Sequence, residues 1–279
     1  MKKSNITNII LVVMLVAGLS LLIYPSFSNF WNSSRQTQMI ASYAESVAKL
    51  DTTAYREIMD SAKEYNQDLL TRFNCYTLTD TQRARYYDEL NFSGDGIMGY
   101  VEIPSIDVML PIYHGTSEEV LQVAIGHLDW SSLPTGGKGT HCVISGHRGL
   151  PSARLFTDLD LLGIGDVFMM NVLGTTMTYQ IDNISIVEPH ETESLLIDPQ
   201  QDYCTLVTCT PYGVNSHRIL VRGTRIANAE KAKLKMVTAD AIRIEPVIVA
   251  PVVAAPMLLV LLIMTILPKR KDKRRKKDD

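Results

Sequence analysis

Thr205–Arg222 reads TLVTCTPYGVNSHRILVR. An apolar, β-branched run ends at Cys209. The stretch Pro211-Tyr212-Gly213-Val214-Asn215 carries turn residues, and Arg218 opens a second apolar run, Ile219-Leu220-Val221. The pattern predicts a buried strand, a turn and a neighbouring strand. A thiol and a guanidinium then sit at the facing ends of two adjacent strands. Upstream, Val143-Ile144-Ser145-Gly146-His147-Arg148-Gly149 repeats the arrangement, with a short strand followed by a glycine-flanked histidine. A thiol nucleophile, an imidazole and a fixed cation are sufficient for acyl transfer.

Each of these residues has a plainer alternative. A lone cysteine is usually a small buried hydrophobe, but Cys209 is followed by a polar turn rather than by more core. Thiolates form beside positive charge or a base, and Arg218 and His147 are the candidates. His147 lies between two glycines that permit a tight, accessible turn. His217 competes with it, but alternation places it on the opposite strand face from Arg218. His114, His127, His141 and His190 belong to no constellation, and no metal-ligand spacing is visible among Cys and His. Arg222 shares a strand face with Arg218, so spacing alone does not separate them; Arg148 is a third candidate. Cys142 and Cys204 each lie five residues before a candidate site residue. If their strands pair in parallel the two thiols become neighbours, and buried free thiols are favoured over a disulfide on geometric grounds.

Two segments point to a membrane. Ile6–Tyr24 is nineteen uncharged residues, about 28 Å of helix, enough to cross a bilayer core. The flank after it has no small-x-small cleavage site, which favours a retained anchor over a signal peptide. Tyr24, Phe27, Phe30 and Trp31 suit an interfacial belt. Val247–Leu267 is a second uncharged run, of twenty-one residues, with Pro251 and Pro256 inside it. Lys2 and Lys3 precede the first run, and eight basic residues against three acidic ones follow the second. Both termini are therefore expected in the cytoplasm and the middle outside. The whole chain carries −3; the basic ends hide a region between them of about −10, which argues against nucleic-acid binding. The tail reads as a stop-transfer signal beside anionic lipid.

Between the runs, Asn32–Asn74 has helical periodicity, with Met39, Tyr43, Val47 and Leu50 on one face. It restarts after Asp51-Thr52-Thr53, where Asp51 or Thr52 can cap. From Gly94 the pattern becomes short β-branched runs: Gly99–Ile103, Val143–Ser145, Val167–Val172, Met177–Val187 and Tyr203–Thr208. Many short strands with turn signals predict a closed all-β barrel.

TLVTCTPYGVNSHRILVRG and SGHRGLP, with GDGIMGYVEIPSIDVMLPIYHG at 94–115, resemble the sortases, and among them the class C, pilus-assembling branch. The resemblance covers Gly94 to Thr224 and implies an eight-stranded barrel. The expected chain is mainly β, with an N-terminal helical appendage and two transmembrane helices. Its expected order is a cytoplasmic N-terminus (1–5), anchor (6–24), helical appendage (25–93), catalytic barrel (94–228), linker (229–246), second span (247–267) and basic tail (268–279). The resemblance implies that Cys209 attacks an LPxTG-like sorting motif, that His147 is the acid and base, and that Arg218 positions substrate or steadies the oxyanion, with no cofactor. Expected partners are pilin or surface-protein substrates and the lipid bilayer. The acceptor amine is a pilin lysine, or a cell-wall cross-bridge for an anchoring enzyme. Thiol proteolysis and a non-enzymatic, membrane-tethered interaction module are further alternatives. One departure stands out: many class C enzymes carry an Asp-Pro-aromatic lid motif before the barrel, and no Asp-Pro occurs between Asn66 and Gly94. A less occluded thiol is expected.

Overall fold

The computed structural model describes residues 2–72 and 76–228, with side chains from residue 10 onward. The linker, the second span, the basic tail and Cys75 lie outside the described residues. Among the described residues, those up to 28 and those from 29 to 228 belong to separate compact units. Helix α1 (Lys2–Ala48) contains the whole first apolar run and continues through Pro25, so no helix end marks the expected anchor boundary. Among the described residues it is the one helix long and apolar enough to cross a membrane.

Helix α2 (Thr52–Leu70) begins where the sequence places a cap: Asp51 accepts hydrogen bonds from Thr53 N and Ala54 N, both at 2.8 Å. Its inner face buries Met59, Ala62, Tyr65 and Leu69, and each large apolar side chain so buried contributes roughly 1.5–3 kcal/mol. It stops at Leu70, short of the Asn74 read from periodicity, where Thr71 turns its hydroxyl back onto the Asp68 carbonyl at 2.8 Å. A third helix, α3 (Asp80–Asp88), was not anticipated, although Thr79 and Gln82 form a reciprocal capping box at its start. Tyr86 of α3 is fully buried; its hydroxyl accepts from Gly115 N at 2.9 Å and donates to the His127 carbonyl at 3.1 Å.

The barrel strands are β1 (Ile97–Ile103), β2 (Val108–His114), β3 (Ile125–His127), β4 (Thr140–Ser145), β5 (Val167–Val172), β6 (Thr175–Val187), β7 (Asp202–Thr210) and β8 (His217–Ile226), with a short helix α4 (Glu118–Leu121) before β3. They close in the order β1-β2-β3-β4-β7-β8-β6-β5. The pairs β2/β3 and β4/β7 are parallel and the others antiparallel. Each strand expected from the sequence is present, usually extended by two or three residues at its start. Alternation sorts the faces. Cys142, Ile144, Cys204, Leu206, Ile219 and Val221 belong to the main core. Val143, Val207 and Leu220 lie on the other face with Leu195, against which Leu128, Trp130 and Val187 pack. The β4/β7 parallel pair and the β7/β8 hairpin bring three strand ends together, and the candidate chemistry lies there.

Candidate active site

Cys209 and Arg218 are directly opposite each other in the β7/β8 ladder. Antiparallel partners project to one face, so thiol and guanidinium share the face of Val207 and Leu220, the next partners along the ladder on that face. Cys209 is half-buried. The connecting turn closes through Val214 N and Asn215 N, which both donate to the Pro211 carbonyl. The Arg218 Nη1 donates to the carbonyls of Asn215 (3.2 Å) and His217 (3.0 Å), so the side chain curls over its own turn.

The two arginines that spacing left unresolved differ in their partners. Arg222 is committed: Nε and Nη2 reach the two oxygens of Asp182 at 3.0 and 3.1 Å, and its guanidinium lies 4.3 Å from the centre of the Tyr203 ring. Asp182 sits at an irregularity in the β6/β8 register, between the partners Ile181 and Asn183, and the extra residue aims its carboxylate at Arg222. Among the described residues Arg218 has no such carboxylate partner. Arg148 is tied into scaffold by Asp160 at 2.5 Å and lies against the Tyr212 ring.

His147 lies two residues beyond the end of β4. Ser145 is level with Val207 in the parallel ladder. The pairing continues beyond it, because Gly146 N donates to the Val207 carbonyl at 3.1 Å and Thr208 Oγ1 to the Gly146 carbonyl at 2.7 Å. His147 is the next residue after Gly146, and Cys209 the next after Thr208. Gly146 is required here: a Cβ there would lie 2.8 Å from both Ile125 Cγ2 and the Phe156 ring. Gly149, at φ +77°, carries the loop away, and the Tyr212 ring covers it so closely that a Cβ would lie at 2.7 Å. Tyr212 thereby joins the turn after Cys209 to the loop after His147.

The other histidines are held elsewhere. His217 bonds Ser216 Oγ at 2.8 Å and faces away from Arg218. His141 bridges Leu196 O and Thr205 Oγ1, and His114 bridges Gly96 O and Glu89 O. Burial holds both below the usual imidazole range. His127 is buried between Tyr86 and Ser132 O, and His190 is exposed near Glu188. Cys142 and Cys204 are level across β4/β7, fully buried and unbridged, and Cys204 Sγ lies 3.1 Å from Met170 Sδ. Burial and the hydrogen bond it donates to Cys142 hold the Cys204 thiol well above its ordinary range. Among the described residues no cluster of His, Cys, Asp and Glu could hold a metal ion.

An apolar cluster and one carboxylate near the site escaped sequence reasoning. The apolar cluster of Trp130, Val143, Leu195, Val207 and Leu220 assembles from five separate segments, and no local period marks it. Tyr76, between α2 and α3, reaches its rim: the ring packs edge-on to Trp130 at 5.0 Å and the hydroxyl lies 3.1 Å from Thr192 Oγ1. Glu118, 3.9 Å from His147, was missed for the same reason.

A sortase domain model matches residues 101–226. The chain is 25% identical over 232 residues to Sortase A of Bacillus anthracis, covering 83% of this chain and 100% of that protein. The crystal structure of sortase C1 from Streptococcus agalactiae is 49% identical, with a TM-score of 0.66, covering 68% of this chain and 99% of that one. Clostridium perfringens sortase C, solved with the C-terminal cell wall sorting motif, is 39% identical with a TM-score of 0.61, covering 68% and 99%.

Proposed function

This chain belongs to the sortase family of cysteine transpeptidases, with class C sortases as structural neighbours, and from that premise we propose that it cleaves an LPxTG-like sorting motif and joins the released acyl group to a pilin lysine. Cys209 is the nucleophile. Its thiolate adds to the Thr–Gly carbonyl, the tetrahedral intermediate collapses to a thioester, and the glycine amine departs with a proton from His147. His147 then takes a proton from the incoming lysine amine, which attacks the thioester and expels the Cys209 thiolate, restoring the starting pair. Arg218 donates to the developing oxyanion or to the substrate backbone. The observation that carries this reading is the in-register pairing of Cys209 with Arg218, with His147 just beyond the end of β4, the strand that pairs with β7.

Supporting it, Val207 and Leu220 lie buried on the same face as the thiol, and the partly exposed Leu128, Trp130 and Val187 that pack against their cluster offer apolar area to a sorting motif. Helix α1 supplies an apolar anchor. In this reading both termini are cytoplasmic and the barrel is outside; the proposed second span lies beyond the described residues. Protease added to wall-stripped cells then removes the middle and spares the tail, and loss of the tail would overturn that topology. The decisive experiment for function incubates the full-length enzyme with pilin carrying or lacking its acceptor lysine. A covalent ladder only with the lysine is expected. Release of cleaved pilin alone would mean hydrolysis, and transfer only to a cell-wall cross-bridge amine would mean anchoring.

A further inference from the structure

Glu118 stands beside the imidazole without belonging to the three-residue constellation. His147 Nε2 lies 3.9 Å from Glu118 Oε2. The other carboxylate oxygen, Oε1, accepts from Gln122 Nε2 at 2.5 Å. The two oxygens are thus divided between an amide that fixes the carboxylate and the ring it faces. Just past α4 the chain is held again, by the buried Gln36 of α1, whose Nε2 donates to the Val123 carbonyl at 2.7 Å. The loop beyond His147 is held by the same helix. Asn32 Nδ2 donates to the Ser152 carbonyl at 2.7 Å, and Asn29 Oδ1 accepts from Arg154 N at 2.9 Å. Asn29, Asn32 and Gln36 recur at spacings of three and four, so one face of α1 grips both the element bearing Glu118 and the segment following His147.

We propose that Glu118 is a positioning residue for His147, that Gln122 holds it in place, and that the amide face of α1 sets the distance between their two segments. The functional meaning rests on His147 moving protons in the reaction above. A separation of 3.9 Å exceeds a hydrogen bond, so Glu118 acts on the ring as a nearby negative charge that attracts it whenever it carries a proton. The imidazolium is the form that protonates the departing glycine amine. The surrounding elements also carry Glu119 of α4, Arg35 of α1, His127 of β3, Cys209 of β7, His217 and Arg218 of β8, and the pairs Arg148–Asp160 and Arg154–Asp158 of the following loop. In those loop pairs each arginine faces its own carboxylate, and among the described residues Glu118 is the carboxylate paired with the ring.

The test uses full-length enzyme in detergent micelles and a quenched fluorogenic LPxTG peptide, with Glu118→Gln, Gln122→Ala and, as a neighbouring charge control, Glu119→Gln. Because the pair is largely exposed, Glu118→Gln is expected to lower kcat only about two- to fivefold with KM unchanged. Gln122→Ala should lose part of that and Glu119→Gln none. Raising the salt should narrow the gap between wild type and Glu118→Gln. The distinguishing readout is the ¹⁵N resonance of the His147 ring in resting enzyme, expected to move in Glu118→Gln and Gln122→Ala but not in Glu119→Gln. An unmoved resonance in Glu118→Gln, or an equal change in Glu119→Gln, overturns the proposal. That readout needs no turnover. If His147→Ala stayed active while the wild-type resonance still answered to Glu118, the proton-transfer reading would fall and the pairing would stand.

Discussion

Cys204 and Cys209 occupy one strand, five residues apart, and meet opposite surroundings. Cys204 points into the barrel core, level with Cys142 and against Met170. Cys209 points to the other face, opposite Arg218 and beside the turn. The odd spacing reverses the face, and the strand end replaces core with solvent and cation. Residue type is the same in both places; reactivity follows the neighbours. Burial raises the Cys204 thiol, whereas Cys209 stands half-buried at the strand end, directly opposite Arg218.

The largest expected effect tests that contrast directly. Cys209→Ala should abolish the thioester seen by intact-protein mass spectrometry after incubation with sorting peptide. Cys142→Ala and Cys204→Ala should keep it and instead lose roughly 1 kcal/mol of stability, read as a lower Tm, because each leaves a small cavity in packed core. An acyl group on Cys142 or Cys204 would reverse the assignment.

The same contrast extends to the arginines. Arg218→Lys should cost about 10²-fold in kcat, the scale of losing one oxyanion donor, because an ammonium cannot reproduce the planar fork. Arg222→Lys should leave turnover near normal and lower Tm slightly, since a half-exposed pair with Asp182 contributes under about 1 kcal/mol. Near-normal turnover of Arg218→Lys would reduce its role to charge balance.

Local signals carried most of this architecture. The thiol at the end of an apolar run, the glycine-flanked His147 and the Asp51 cap are each written within a few residues, and each places an element where the structure has it. Strand starts were read late because polar residues such as Thr175 and Asp202 pair in the ladder without an apolar side chain to announce them. Arg218 and Arg222 could not be separated by spacing, since the partner that distinguishes them, Asp182, comes from β6 and is aimed by a register irregularity. Glu118 and the Trp130 cluster were invisible because closure of the barrel, not chain proximity, brings them to the site. The α3 helix was legible in principle: Thr79 and Gln82 spell a capping box.

A smaller loss is expected at Gly146. Alanine there places a methyl 2.8 Å from Ile125 and Phe156, and relieving that overlap should cost about 1–3 kcal/mol of stability. His147 is the next residue, so kcat should fall as well, by about tenfold on the scale of a misplaced acid–base group. Alanine at Gly163, where the nearest atom is 3.9 Å away, should change neither. Equal behaviour of the two variants would show that the site end of β4 is no more tightly built than a surface turn.

The smallest effect concerns access to the thiol. Tyr76 sits on Trp130 and Thr192 at the rim of the apolar cluster, in the segment that lacks the Asp-Pro-aromatic motif. If that segment merely borders the cluster, Tyr76→Ala in the full-length chain should raise the alkylation rate of Cys209 by a small factor and leave KM for the sorting peptide nearly unchanged. Trp130→Ala should do more to KM than to alkylation, because Trp130 packs on the cluster itself. A large acceleration in Tyr76→Ala would mean that this aromatic holds a lid across the thiol despite the missing motif. Cys209 would then resemble Cys204 in the resting enzyme, and the contrast between the two ends of β7 would appear only after the segment had moved.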